Sequence, residues 1–296
     1  VAMMKKFKKI YVEITNQCNL SCDFCPRSKR PAQTMTVSFF AEIIRKIKGY
    51  TDYLYFHVMG EPLMHPDIGE MLDICNKTGL KVNITTNGTL IKRIGQVIVA
   101  KPALRQINIS LHCQRSHNND GLRDDYFDDV IAFAKDVQKG KKKIVCLRLW
   151  NLCENGNALD NSRILQRIGN EFGHRDALAE RSKVINGVKL ADNVFLNCAA
   201  EFDWPGFDKQ DRGMTGFCLG LRDQLAILVD GTVVPCCLDA QGGLALGNIR
   251  DQALSDILQG TRAKAIHDGF SKRTVVEELC RKCGYRTRFD LIQKSR

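Results

Sequence analysis

The feature that most constrains this chain is an alternation of patterns running from residue 7 to about 200. Short apolar runs fall at 10–14, 53–58, 80–85, 104–111 and 143–150. Between them lie segments of helical apolar periodicity, at 38–49, 67–78, 89–99, 126–138 and 160–172. Strands that alternate with ten-to-fifteen-residue helices build βαβ units and a parallel sheet. A sixth strand is expected within 182–198. No GxGxxG follows any strand, so a dinucleotide-binding sheet lacks its fingerprint. In a parallel α/β fold the chemistry gathers at the carboxyl ends of the strands.

The chemistry-bearing residues fall at those ends. The first strand runs into Cys18-Asn19-Leu20-Ser21-Cys22-Asp23-Phe24-Cys25, a CxxxCxxC loop. Three thiolates on one short loop suit three corners of a four-iron, four-sulfur cube and leave the fourth iron open to bind a small molecule. A structural zinc knuckle that borrows a fourth ligand is the alternative. The second strand leads to Met59-Gly60-Glu61-Pro62, the third to Thr85-Thr86-Asn87-Gly88. The fourth ends Ser110-Leu111-His112, and the two-residue strand period puts Ser110 and His112 on one face. The fifth ends Arg148-Leu149-Trp150-Asn151. Glu13 on the first strand and His57 on the second are candidate substrate contacts. A carboxylate among apolar neighbours is costly unless paired, so Glu13 either meets substrate or bonds a neighbouring strand.

A second cysteine set follows a change of texture at 218. Residues 224–229 and 232–234 read as a hairpin around Asp230-Gly231, and residues 253–267 as a helix. Cys218, Cys236, Cys280 and Cys283 then offer four thiols, a set that suits a closed cube or a zinc ion. Cys237 adjoins Cys236, cannot easily reach the same metal, and reads as packing. Thirteen cysteines in 296 residues, an odd count with metal-ligand spacings, point to a reducing cytoplasm rather than to disulfides. The formal charge of +11 permits an acidic partner. The lysines are scattered without interleaved aromatics, so nucleic acid is not expected as a partner. No run of eighteen apolar residues is present, which excludes an α-helical membrane span.

The cysteine loop, with Phe24 before its last cysteine and Gly60-Glu61 after the second strand, resembles the signature of the radical S-adenosylmethionine (SAM) superfamily. The resemblance implies a partial (β/α)6 barrel over 7–200, a linker over 201–217 and a small iron–sulfur domain over 218–296. It implies a SAM-binding [4Fe-4S] cluster on Cys18, Cys22 and Cys25, with Phe24 against the adenine and Gly60-Glu61 holding the SAM amino group. Asn87, Ser110, His112, Arg123, Arg148 and Asn151 are the equivalent candidates for its carboxylate and ribose. The tail resembles the SPASM region or its shorter twitch form, because no cysteine follows Cys283. That implies one auxiliary [4Fe-4S] cluster on Cys218, Cys236, Cys280 and Cys283. The expected activity is reductive cleavage of SAM and hydrogen abstraction from a small-molecule substrate, with a flavodoxin or ferredoxin-type electron donor. The whole-chain layout and the Leu147–Asn151 run also resemble the queuine lyases. Peptide modification and a non-catalytic electron carrier are the competing readings; no added peptide-recruiting domain is evident.

Overall fold

The computed structural model describes residues 6–291 except 27, 115–123, 141, 153–157, 175–177 and 179–186. Five parallel strands follow one another: β1 (Lys9–Val12), β2 (Tyr53–Phe56), β3 (Lys81–Thr86), β4 (Leu104–Ser110) and β5 (Ile144–Leu152). Helices α1 (Val37–Ile47), α2 (Ile68–Lys77), α3 (Ile91–Val99), α4 (Asp124–Gly140) and α5 (Ala158–Phe172) follow the strands in turn. The sixth strand is the second arm of a hairpin. β6 (Val188–Ala191) turns back on β7 (Val194–Ala200), and β7 pairs parallel to β5.

Alternate residues of each strand serve two different surroundings. Ile10 and Val12, Leu54 and Phe56, Val82 and Ile84, Ile107 and Ile109, and Leu147 and Leu149 are buried in one apolar core. There they meet helix residues such as Phe40, Ile43 and Ile47 of α1 and Met71 and Leu72 of α2. Each such side chain contributes roughly 1.5–3 kcal/mol through burial. Thr36 starts α1 by accepting a hydrogen bond from the Phe39 amide at 3.3 Å. The other strand face is polar and aromatic: Tyr11 and Glu13, Tyr55 and His57, Asn83 and Thr85, Asn108 and Ser110, Arg148 and Trp150. A parallel sheet packed on both faces reads as continuous apolar runs. The polar face therefore surrounds a cavity rather than a second core.

The tail joins the same sheet. β8 (Gln224–Ile227) pairs parallel to β1 from Lys9↔Gln224 to Val12↔Ile227. β9 (Thr232–Val234) and β10 (Gly247–Asn248) continue antiparallel, giving the order β10-β9-β8-β1-β2-β3-β4-β5-β7-β6. Gly231 turns the hairpin at φ +95°, where a Cβ would lie 2.7 Å from Asn248 Oδ1. The single helix expected over 253–267 is two, α6 (Leu254–Gln259) and α7 (Thr261–Ser271). Gly260 separates them with extended backbone, φ −57° and ψ 150°. Residues 201–217 do not hang free. The Arg212 and Gly216 amides bond the carbonyls of Arg281 and Arg273, and the Gly284 amide bonds that of Asp203. Among the described residues no helix is long and apolar enough to cross a membrane.

Candidate active site

A cavity of about 420 Å³ opens at the carboxyl ends of the strands, and Cys18, Cys22 and Cys25 all line it. The loop lies against the β2 exit because Gly60 permits it. At φ +78°, a Cβ there would stand 2.4 Å from the Thr15 carbonyl oxygen, and the Glu61 amide donates to the Gln17 carbonyl at 2.8 Å. Cys18 Sγ accepts from the Leu20 amide at 3.4 Å and from Asn87 Nδ2 at 3.8 Å. Burial pushes the Cys25 thiol up to about 12, and proximity to Cys22 and Cys18 adds to it. Thiolates that repel each other while losing solvent need a cationic centre between them. The loop thus fits a metal cluster.

The tail set behaves likewise. Burial raises the Cys236 thiol well above its ordinary value, and Cys237, Cys218, Cys280 and Cys283 add to the shift. Burial also pushes Cys218 up to about 11 against hydrogen bonds from the Gly220 and Leu219 amides. Four thiols from three segments converge, with amide donors already aimed at sulfur. Among the described residues no three cysteine, histidine or carboxylate groups are spaced to hold a single metal ion.

Most of the other sequence candidates line this cavity: Phe24, His57, Gly60, Glu61, Asn87, Ser110, His112 and Arg148. His112 lies just beyond β4, in a short 3₁₀ turn at Leu111–Gln114, so strand alternation does not place it. Its ring packs 4.7 Å from that of Phe24, and its Nδ1 lies 3.3 Å from the Arg148 carbonyl oxygen. Desolvation pushes His57 down to about 3 and His112 to about 4, so both are neutral at working pH. His57 Nδ1 and Arg148 Nε are buried without partners. The Arg148 guanidinium stacks 4.9 Å from the Trp150 ring and has no carboxylate partner among the described residues.

Three candidates need correction or fall outside view. Glu13 does not line the cavity. One oxygen accepts from Arg30 Nη2 at 2.6 Å and the Met59 amide at 3.1 Å, and the other from the Val229 amide at 3.0 Å. It ties the β2 exit, the cysteine loop's return and the tail together, which was the structural alternative. Asn151 turns away from the cavity because it is out of phase with Arg148 and Trp150, and its Nδ2 bonds Asn161 Oδ1 at 3.1 Å. Arg123 lies outside the described residues. Glu61 is more enclosed than its proposed role requires. Thr86 Oγ1 and the Leu63 amide donate to one oxygen and the Asn87 amide to the other, while burial pushes it up to about 7.

The structure also adds residues the sequence did not single out. Arg30 lines the cavity while binding Glu13 and, through Nε, the Ala240 carbonyl at 2.9 Å. Only tertiary contact reveals it. Cys237, read as packing, lines the cavity too.

A fold of this kind with an open cysteine loop at the strand ends defines an iron–sulfur enzyme. The radical SAM superfamily matches residues 12–160, half of the chain, and an iron–sulfur cluster-binding (SPASM) domain matches residues 218–284. The chain belongs to the radical SAM superfamily. The S-adenosyl-L-methionine-dependent 2-deoxy-scyllo-inosamine dehydrogenase of Niallia circulans is 20% identical over 95% of this chain and 94% of its own length. The cofactor-modifying protein of the tungsten-containing aldehyde ferredoxin oxidoreductase of Pyrococcus furiosus is 33% identical over 28% of this chain. This chain spans only 25% of that protein, and 32% of a similar GTP 3′,8-cyclase from Chlorobaculum tepidum. Among solved structures, BtrN in complex with AdoMet and 2-DOIA superposes with a TM-score of 0.60 at 17% identity, over 95% and 94% of the two chains. Streptococcus suis SuiB bound to the precursor peptide SuiA gives 0.58 at 16%, over 95% and 70%. The cofactors follow: SAM, a SAM-binding [4Fe-4S] cluster and auxiliary iron–sulfur binding in the tail.

Proposed function

We propose that this radical SAM enzyme acts on a small molecule held in the cavity between the cysteine loop and the tail. The cluster, when bound, supplies the electron that cleaves SAM to the 5′-deoxyadenosyl radical. Cys18, Cys22 and Cys25 hold it, and Asn87 donates to the first sulfur. The Gly60-Glu61 backbone receives the SAM amino group. Ser110 and His112 line the SAM side, with Phe24 against the adenine. Arg148 offers a carboxylate partner, and His57 faces substrate. Cys218, Cys236, Cys280 and Cys283 hold one auxiliary [4Fe-4S] cluster. A flavodoxin or ferredoxin-type protein supplies electrons in a cytoplasmic setting.

The single observation that supports the small-molecule reading is the likeness over 95% of this chain to the S-adenosyl-L-methionine-dependent 2-deoxy-scyllo-inosamine dehydrogenase; the cavity of about 420 Å³ would hold the cluster and SAM as well as the substrate. The finer proposal is queuine lyase, which cleaves queuine to 7-aminomethyl-7-deazaguanine. Its support is the chain's layout and the Arg148–Trp150 stack, a surface suited to a planar base. Peptide modification is the second reading, favoured by the fold shared with SuiB. The test is anaerobic incubation of reconstituted protein with SAM, dithionite and queuine. Mass spectrometry should find 5′-deoxyadenosine and the aminomethyl deazaguanine, both dependent on the loop cysteines. Deoxyadenosine without the deazaguanine would remove the queuine reading and keep the class.

A further inference from the structure

Cys237 follows Cys236 in the chain and stands near both Cys236 and Cys283, but unlike Cys218, Cys236, Cys280 and Cys283 it also lines the cavity that Cys25 lines. Cys237 packs against a small cluster that includes Tyr11, Met59, Val234 and Ala240, and its sulfur interacts with the Tyr11 hydroxyl. A second observation marks this wall as a place for a bound molecule. The His57 ring stands edge-on to Tyr11 at 5.0 Å, lines the same cavity, and buries its Nδ1 with no partner. Arg148 Nε on the cavity wall is likewise buried and unpaired. Buried polar atoms in native structures find partners, so unpaired ones beside a cavity point to a ligand that supplies them.

We propose that Cys237 is a hydrogen-atom donor to radicals formed in this cavity. The proposal rests on the radical SAM chemistry of the chain and is independent of queuine as substrate. An S–H bond is weaker than most C–H bonds, so a carbon radical within reach takes its hydrogen. The carbon–hydrogen bond forms, the sulfur–hydrogen bond breaks, and the unpaired electron moves to sulfur. One electron from the enzyme's low-potential reductant and one proton from solvent restore the thiol. Tyr11 and the adjoining Cys236 hold the sulfur on the cavity side.

The experiment needs no known substrate. Reconstituted protein is given unlabelled SAM and dithionite in deuterated buffer, where the thiol carries deuterium. The fraction of 5′-deoxyadenosine bearing one deuterium is then read, a ratio independent of the amount formed. It should be high in the wild type and fall several-fold in Cys237→Ser, whose O–H bond is too strong to donate. Cys113→Ala removes a different cavity thiol and should leave the fraction high. A deuterated fraction unchanged in Cys237→Ser overturns the proposal alone; a wild type that forms no 5′-deoxyadenosine overturns the radical SAM reading with it. N-ethylmaleimide mapping of the reconstituted protein gives a readout apart from turnover. Cys237 should be alkylated, more slowly with S-adenosylhomocysteine present, and its complete resistance without that ligand would also overturn the assignment.

Discussion

The cysteine loop and the cysteine tail hold the same thiol in opposite settings. Cys18, Cys22 and Cys25 come from eight consecutive residues, line the cavity, and include one exposed member, Cys18. Cys218, Cys236, Cys280 and Cys283 are drawn from residues 218–283, and none of them lines that cavity. The loop offers three thiols on the cavity, and the tail offers four that do not line it. An open set is suited to binding and activating a molecule, and a closed set to electron transfer or architecture. Three ligands on a short loop need little else to be in place, whereas the tail set depends on residues 201–217 folding over it. Arg286, buried to 2% exposure, donates to the carbonyls of Cys280, Thr215 and Arg212 and fixes that cover.

The sharpest way to break this comparison is to empty one set and leave the other. Replacing Cys18, Cys22 and Cys25 together by alanine should abolish SAM cleavage and halve the iron content. The absorbance and paramagnetic signal of the tail cluster should remain. Loss of both signals would mean that the two sites do not form independently. The next largest effect should come from Glu13, which joins the two regions. Glu13→Ala takes the carboxylate from Arg30 Nη2 and leaves the Met59 and Val229 amides unpaired in a buried place, and should cost about 3–5 kcal/mol in urea unfolding. Glu13→Gln keeps part of the network and should cost less. If the two variants were equally stable, Glu13 would not be the tie described.

A smaller effect distinguishes the loop's outer support. Asn87 Nδ2 reaches both Cys18 Sγ and Asn19 Oδ1, the latter at 2.9 Å. Residues that orient ligands contribute roughly tenfold to a hundredfold in affinity. Asn87→Ala should therefore weaken iron retention in the loop by about that factor under chelator challenge, and leave the tail's retention unchanged. Equal loss from both sites would assign Asn87 to general stability.

How much of this was written in the sequence divides along a physical line. Local patterns sufficed for the barrel's helices, each found within two residues of its expected ends, and for the hairpin at Asp230-Gly231. The cavity candidates were legible because a parallel sheet delivers strand ends to one side. Asn151 was misplaced although the period of two was available, since Arg148 and Trp150 already occupied the inward phase. His112 reached the cavity by a different route from the one expected, through a 3₁₀ turn. Arg30 and Cys237 were not readable because their partners lie 17 to 226 positions away in sequence, and Glu13 was readable only as one of two alternatives. The break at Gly260 was hidden by helix-compatible residues on both sides, in a stretch where extended backbone needs no special residue.

The smallest effect concerns the cavity's two neutral histidines, and its sign is fixed by where they are buried. His57 is pushed down to about 3 by desolvation, with Arg148 and Lys9 adding to the shift. An unfolded histidine gains its proton near pH 6.5, while native His57 stays neutral. Below that pH the unfolded state binds more protons, so stability falls as pH falls. Glu61 works the other way: burial raises it to about 7, so it holds a proton that the unfolded chain releases above pH 4.5, and its contribution is lost as pH rises. Comparing the wild type with His57→Phe cancels Glu61 and every other shared group. Between pH 7.5 and 5 the wild type should lose about 2 kcal/mol relative to the variant. Parallel stability profiles would mean that His57 can take a proton in the folded state. The cavity's barrel side would then carry a further positive charge, where the unpaired Arg148 Nε now favours a ligand that accepts hydrogen bonds.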